Sequence, residues 1–429
     1  MFMPFPKAFL SGLCLLLVPA ALVAQDAATS RQLSQRYADL TSKALSGDPN
    51  AQRKLGDAMA HGQGVAQNLE EAARWYRRAA DHGDPEAQTS LGYLYSQGQG
   101  VPHDDAEAFR WFLRAATSGS MSGQFDVGMA YHDGHGVLPD HTEAVRWLRR
   151  AAEAGFAPAQ SNLGCLIIDG DGVTKDIKQG IRWLRKAAGN GNAQADYNLG
   201  RLYAGNKLGS SDFVEAAKWY LRAAQQGYAH AQYQLGYLYS EGLGVSQDRK
   251  QALRWFQAAA QQGDADAQFS LGYYYHHGWG VPQDLTNAVN WYRHAAEQNQ
   301  PYAQLQLGYL YASGQSVPHD ARESVQWYKR AAQQGIPEAE YVLGVLYEHG
   351  VELPRDLKLA SEWYSKAAVH GSATAQSQLN RLPAAALPDA VTAAPSLGSL
   401  PFPAPLGLER PFPGSLASPV TPYRVPDQR

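Results

Sequence analysis

Disulfide chemistry is nearly absent from this chain, whose 429 residues include only two cysteines, Cys14 and Cys165. Cys14 falls in an N-terminal segment that reads as removable, which leaves Cys165 alone and excludes an intrachain disulfide framework. Its setting in "LGCLI" suits a small buried hydrophobe. Charge of one sign is not in excess either: 37 Lys and Arg face 40 Asp and Glu, so nucleic acid is not an expected partner. Catalytic patterns are missing as well. There is no H-E-x-x-H, no Cys/His cluster and no Ser/His/Asp arrangement, and the Gly-x-Gly-Val segments lack the third glycine and the preceding strand of a dinucleotide loop. His132 and His135 in "YHDGHGV", and the pair His276-His277, read as solvated loop side chains rather than metal ligands. No enzyme activity, cofactor or metal is expected.

Long apolar runs are confined to the N-terminus. "MFMPFPKAFLSGLCLLLVPAALVAQDAATS" has one Lys, an apolar core over 8–18, then Pro19 and small residues, in the order of a secretory signal peptide. The apolar stretch 8–24 is too short for an ordinary membrane span. Residues 1–24 are therefore expected to be a signal cleaved after Ala24. The product is expected to be exported, periplasmic or secreted, with no integral membrane segment.

What the chain has instead is a period. Tryptophans stand at 75, 111, 147, 183, 219, 255, 291, 327 and 363, every 36 residues, with Trp279 alone outside the series. A Leu-Gly pair keeps the same interval from Leu55-Gly56 to Leu343-Gly344, with Val127-Gly128 as its variant, and an Ala-Ala pair follows each tryptophan by four. Such a period predicts a solenoid of helix pairs. The first helix of each pair ends at a glycine (62, 98, 134, 170, 242, 278, 314 and 350), a common helix stop. The second opens after an Asp or Asn, such as Asp104, with Glu or Gln three residues on in most copies, an arrangement resembling a capping box. It ends at a further glycine column, in which Asn299 is the single substitution; asparagine also tolerates a left-handed backbone. A glycine inside the first helix costs roughly 1 kcal/mol against alanine. Its recurrence at Gly92, Gly236 and Gly272 implies close helix packing, with the Trp column supplying buried area.

The pattern A-Q-x-x-LG-x-x-Y … G-x-GV-x-x-D-x-x-x-A-x-x-W-[YFL]-x-x-AA-x-x-G resembles the Sel-1-like repeat, a relative of the tetratricopeptide repeat. It fills 48–371 with nine copies and starts a tenth at 372–382; Asp39 replaces the Trp in a capping helix expected over 25–47. Residues 383–429 hold 11 of the 24 prolines and read as a disordered or polyproline-II tail. "GNKLGSSD" (205–212), Ser316, Glu352 and Leu353 depart from the loop pattern, where a different bend is expected. The resemblance implies an all-α, right-handed superhelical solenoid of antiparallel helix pairs, with first helices lining its concave side.

On that side, the position after the helical glycine carries Tyr93, Tyr237, Tyr273 and Tyr309, a candidate recognition groove. On the second helices Arg110/Arg114 and Arg146/Arg150 lie four apart in a candidate basic stripe, for which a solvated face balanced by Glu is the plainer reading. The expected function is an exported, non-enzymatic scaffold for protein partners, in an adaptor, assembly or host-interaction role. Binding of an anionic or cell-envelope polysaccharide is the alternative. A β-lactam-directed hydrolase, as attributed to cysteine-rich relatives, is disfavoured because this chain lacks their cysteine pairs.

Overall fold

The computed structural model describes residues 37–382. The expected signal peptide, residues 25–36 of the capping segment and the proline-rich tail lie outside the described residues. Helices account for the regular structure throughout, and no strand occurs among the described residues. Two compact units are present, one up to Ile177 and one from Lys178 onward.

The first unit holds α1 (37–45), α2 (Pro49–His61), α3 (Leu69–Asp81), α4 (Pro85–Gln97), α5 (Asp105–Thr117), α6 (Met121–Asp133), α7 (His141–Glu153) and α8 (Ala157–Asp169). The second runs from α9 (Ile177–Gly189), which begins at the boundary, through α10 (Ala193–Ala204), α11 (Phe213–Gln225), α12 (Ala229–Glu241), α13 (Arg249–Gln261), α14 (Ala265–His277), α15 (Leu285–Glu297), α16 (Pro301–Ser313), α17 (Ala321–Gln333), α18 (Pro337–His349) and α19 (Leu357–Val369) to α20 (Ala373–Arg381). Helices consecutive in sequence pack against one another from α2 to α8 and again from α10 to α20, so each unit is a run of stacked helix pairs.

Caps set the helix boundaries. The Asp104 carboxylate accepts from the Glu107 N–H at 2.9 Å, and Asp140, Asp212 and Asp320 act alike. The other half of a capping box is not needed, because the Asp104 N–H already donates to the Tyr95 carbonyl at 3.0 Å. The first helices stop at glycines in the left-handed region, Gly98 at φ 65° among them, and Asn299 has φ 64°.

The glycines of the loop motif serve a second purpose. Gly244 (φ 67°) lies so close to the start of α11 that a Cβ on it would overlap the Phe213 carbonyl. Ser316 and Glu352 keep the left-handed backbone at the equivalent place, φ 66° and 55°, so those two loops retain the bend. The departure is at 205–212, where Gly205 is not left-handed and α10 is one residue shorter than its neighbours. Gly263 (φ 89°), by contrast, has nothing within 4 Å of the place a Cβ would take. Gly263→Ala should therefore cost only the left-handed strain of about 1 kcal/mol, whereas Gly244→Ala adds a backbone collision and should cost at least about 2 kcal/mol. Thermal melts of the two variants check this; equal losses would show that the loop contact contributes nothing.

Two buried columns join the pairs. In most first helices the glycine faces a ring one residue after the series tryptophan, Gly92 against Phe112, Gly236 against Phe256 and Gly308 against Tyr328, while Gly128 meets Leu148. Those rings are sealed, whereas Trp147, Trp219 and Trp255 are only half-buried. Trp75, Trp111 and Trp327 are buried too, but the residue after the tryptophan is buried in every copy and is the more constant anchor. The second column is the glutamine of the "AQ" motif. Gln304 donates to the Ala296 carbonyl at 3.1 Å and accepts from Gln334 at 2.8 Å; Gln268 does the same with Ala260 and Gln298. A buried amide is tolerated because both ends are bonded.

Candidate functional site

The four candidate tyrosines share one helical position but not one environment. Tyr93, in the first unit, turns its hydroxyl to Asp126 of the next first helix and donates to Oδ1 at 2.6 Å. Its ring meets the edge of Phe112 at 5.2 Å. Asp126 is buried, and burial raises its pKa from 3.8 to about 7, against the lowering effect of the Tyr93 bond; a buried carboxyl resists charging. In the second unit, Tyr237, Tyr273 and Tyr309 belong to one apolar cluster. Tyr273 is its interior member, 3 % exposed, stacked on His277 at 4.0 Å and edge-on to Trp279 at 5.3 Å. Burial holds its hydroxyl above the ordinary tyrosine pKa, with Arg249 acting in the opposite direction. Tyr237 and Tyr309 sit partly buried at the margin of the cluster.

Trp279, the tryptophan outside the periodic series, explains why Tyr273 differs. It occupies the middle position of the Gly-x-Gly loop, with the Arg249 guanidinium over its face at 4.0 Å. His276 belongs to α14 rather than to a loop and is buried, which lowers its pKa to about 4, with His277 adding to the effect. His132 is also helical. It lies against His141 and Asp171, while its sequence neighbour His135 stays exposed. The Asp133 hydrogen bond is the first cause of a raised His132 pKa, burial opposing it.

Each of the four basic candidates makes a contact on its own helix. Arg110 and Arg146 are exposed, and each pairs three residues back, with Glu107 at 2.6 Å and with Glu143. Arg114 and Arg150 lie over the faces of Trp111 and Trp147, both at 4.4 Å to the ring centroid. The same stacking recurs at Arg78 on Trp75 and at Arg222 on Trp219. An Arg three residues after a Trp covers the open side of the ring in a cation–π contact worth about 0.5–1 kcal/mol at an exposed site. That i, i+3 spacing is present in the sequence, and Arg114 and Arg150 stay exposed while making the contact. No helix among the described residues is long and apolar enough to cross a membrane.

The Sel1 repeat model matches residues 49–84, 85–120, 122–156, 157–192, 193–228, 229–264, 265–300, 301–336 and 337–372. Among solved structures, a protective antigen present in uropathogenic Escherichia coli strains and displaying an SLR fold is 36% identical. The match covers 80% of this chain and 74% of that one, with a TM-score of 0.60. A Sel1 repeat protein from Oxalobacter formigenes is 31% identical, with 80% and 89% of the two chains covered and a TM-score of 0.42. No curated protein matches the chain.

Proposed function

The chain belongs to the Sel1 repeat family, whose arrays generally serve as scaffolds for protein–protein interaction, and on that premise we propose that it is an exported, non-enzymatic scaffold holding a protein partner along its first helices. One observation carries the reading: Tyr237 and Tyr309 recur at a single helical position and are only partly buried, while the glycine, alanine and glutamine columns around them are consumed by packing. Partly buried tyrosines offer apolar area with a polar tip at low entropic cost, the chemistry of protein-binding hot spots. The signal-like N-terminus supports export, and so does the likeness to an antigen from Escherichia coli.

Photo-cross-linking in cells tests both parts. A benzophenone side chain at position 237 or 309 is expected to yield a discrete protein adduct in the envelope or culture fraction, and one at 146 is not. Tyr237→Ala combined with Tyr309→Ala should weaken that partner by more than tenfold, if each ring contributes about 1 kcal/mol. Adducts confined to position 146, or a chain found only in the cytosol with its N-terminal segment intact, would overturn the reading.

A further inference from the structure

We propose that His132, His141 and Asp171 form a binding site for a divalent cation of the zinc class. The three come from separate elements of the first unit: His132 from the last turn of α6, His141 from the first position of α7, and Asp171 from the loop after α8. His141 Nδ1 lies 2.7 Å from Asp171 Oδ1, and His132 Nε2 lies 3.4 Å from Asp171 Oδ2. The donor atoms of all three fall within 4.8 Å of one another. Among the described residues no other group of three such side chains converges in this way.

The fold brings them together for a reason that has nothing to do with a ligand. Gly172 packs on the His141 carbonyl, as Gly100 packs on Leu69, Gly136 on Asp105 and Gly244 on Phe213. The residue before that glycine is therefore held over the start of the preceding second helix. At the equivalent place in the second unit the pair is Trp279 over Arg249. Here it is an aspartate over a histidine, and His132 supplies a third donor from the side.

Asp133 is the independent observation that points to a metal. Its Oδ1 sits 2.7 Å from His132 Nδ1 and so holds the ring with Nε2 turned toward Asp171. A carboxylate on the far nitrogen of a ligating imidazole fixes its tautomer and strengthens it as a donor, and metal-ligating histidines almost always have such a partner. Ligand bonds of about 2.0–2.2 Å to nitrogen and oxygen place neighbouring donors in a tetrahedral site roughly 3.3 Å apart. The 3.4 Å pair already meets that spacing, and small rotations open the 2.7 Å pair and close the widest one. Two imidazoles and a carboxylate suit zinc-like ions, whereas Mg²⁺ and Ca²⁺ prefer all-oxygen sets. The side chains are 17 %, 45 % and 37 % exposed, which leaves a fourth position open to water. A bound ion ties the loop after α8 to α6 and α7, so it should stiffen the contact between two neighbouring repeats.

Calorimetric titration of the purified chain, prepared without a histidine tag, with Zn²⁺ tests the site. One equivalent is expected to bind and to raise the melting temperature, since a ligand of the folded state stabilises it. His141→Ala and Asp171→Asn should each lose at least tenfold in affinity, Asp133→Asn about 10–100-fold, and His135→Ala nothing. Metal-free melts of the variants show whether they fold; His141 is the safest to replace, being the most exposed of the three. Co²⁺ in place of Zn²⁺ should give the visible bands of a tetrahedral nitrogen and oxygen site. Absence of stoichiometric binding, or Zn²⁺ bound equally by folded His141→Ala and Asp171→Asn, would overturn the proposal and leave the cluster as ion pairs alone.

Discussion

Gly236→Leu should destabilise the array by about 3 kcal/mol, the upper end of what overpacking a closed core costs. A Cβ at this position would stand 2.8 Å from Cδ1 and Cε1 of Phe256 and 3.3 Å from the Ala252 carbonyl. The ring cannot step aside, because Phe256 is fully buried and held between Tyr274 at 5.3 Å and Tyr233 at 5.9 Å. Gly236→Ala should cost less, since its helix propensity offsets roughly 1 kcal/mol of the clash. The cause can be isolated with Phe256→Ala, which alone leaves a cavity. In the double variant the leucine side chain enters the vacated space, so the two losses should fall short of additive by about 1 kcal/mol or more. Chemical unfolding of the four proteins measures this cycle, and hydrogen exchange should place the damage in the repeats beside α12 and α13. Strict additivity would mean that the glycine is not there to admit the ring.

The second large effect concerns pH. Asp126 has a folded pKa of about 7 against an ordinary value of 3.8. Between those values the folded protein binds more protons than the unfolded chain, so stability falls as pH rises through that window and levels off on either side. At about 1.4 kcal/mol per unit, the change reaches up to about 4 kcal/mol. The geometry agrees: Oδ1 accepts from Tyr93, while Oδ2 is buried without a hydrogen-bond partner among the described residues, as suits a carboxyl that keeps its proton. Neighbouring copies put neutral Asn162 and Asn198 in this column. Asp126→Asn retains an acceptor for Tyr93 and removes the titration. Its melting temperature relative to wild type should climb from pH 4 to pH 8, leaving the variant the more stable protein at the alkaline end. Parallel curves across that range would show that Asp126 ionises freely. The same bond makes Tyr93 a joint between repeats, so its value to a partner is best read against Tyr237 and Tyr309.

Much of this architecture is legible without coordinates because it is local. A left-handed stop needs Gly or Asn, and Asn299 in a glycine column announces that requirement before its φ of 64° is known. Asp104 three residues ahead of Glu107 marks a helix start, and the cap forms as the spacing implies. The fate of Glu107 is less obvious, since it can reach back to the cap or forward to Arg110; the Tyr95 carbonyl decides by taking the Asp104 N–H first. Tyr273 could not be separated from Tyr237 and Tyr309 by pattern, because its burial comes from Trp279 and His277, which break no rule of the repeat.

By itself the sequence determined the all-α class, the 36-residue unit, the helix stops and starts, and the positions where small residues let helices close on each other. These depend on backbone preference and on a period, which act within a few residues or repeat unchanged along the chain. Only the tertiary structure decided which of two adjacent aromatics is sealed against the glycine, which tyrosines are only partly buried, and which histidine meets an aspartate. Trp255 and Phe256 are neighbours on one helix, about 100° apart around its axis. Both are apolar enough for the core, so the choice rests on where the neighbouring helix puts its glycine. His132 and Asp171 are well separated in sequence, one repeat from the other. Their meeting follows from the register in which one repeat's loop settles on the next repeat's helix, and steric fit between repeats sets that register.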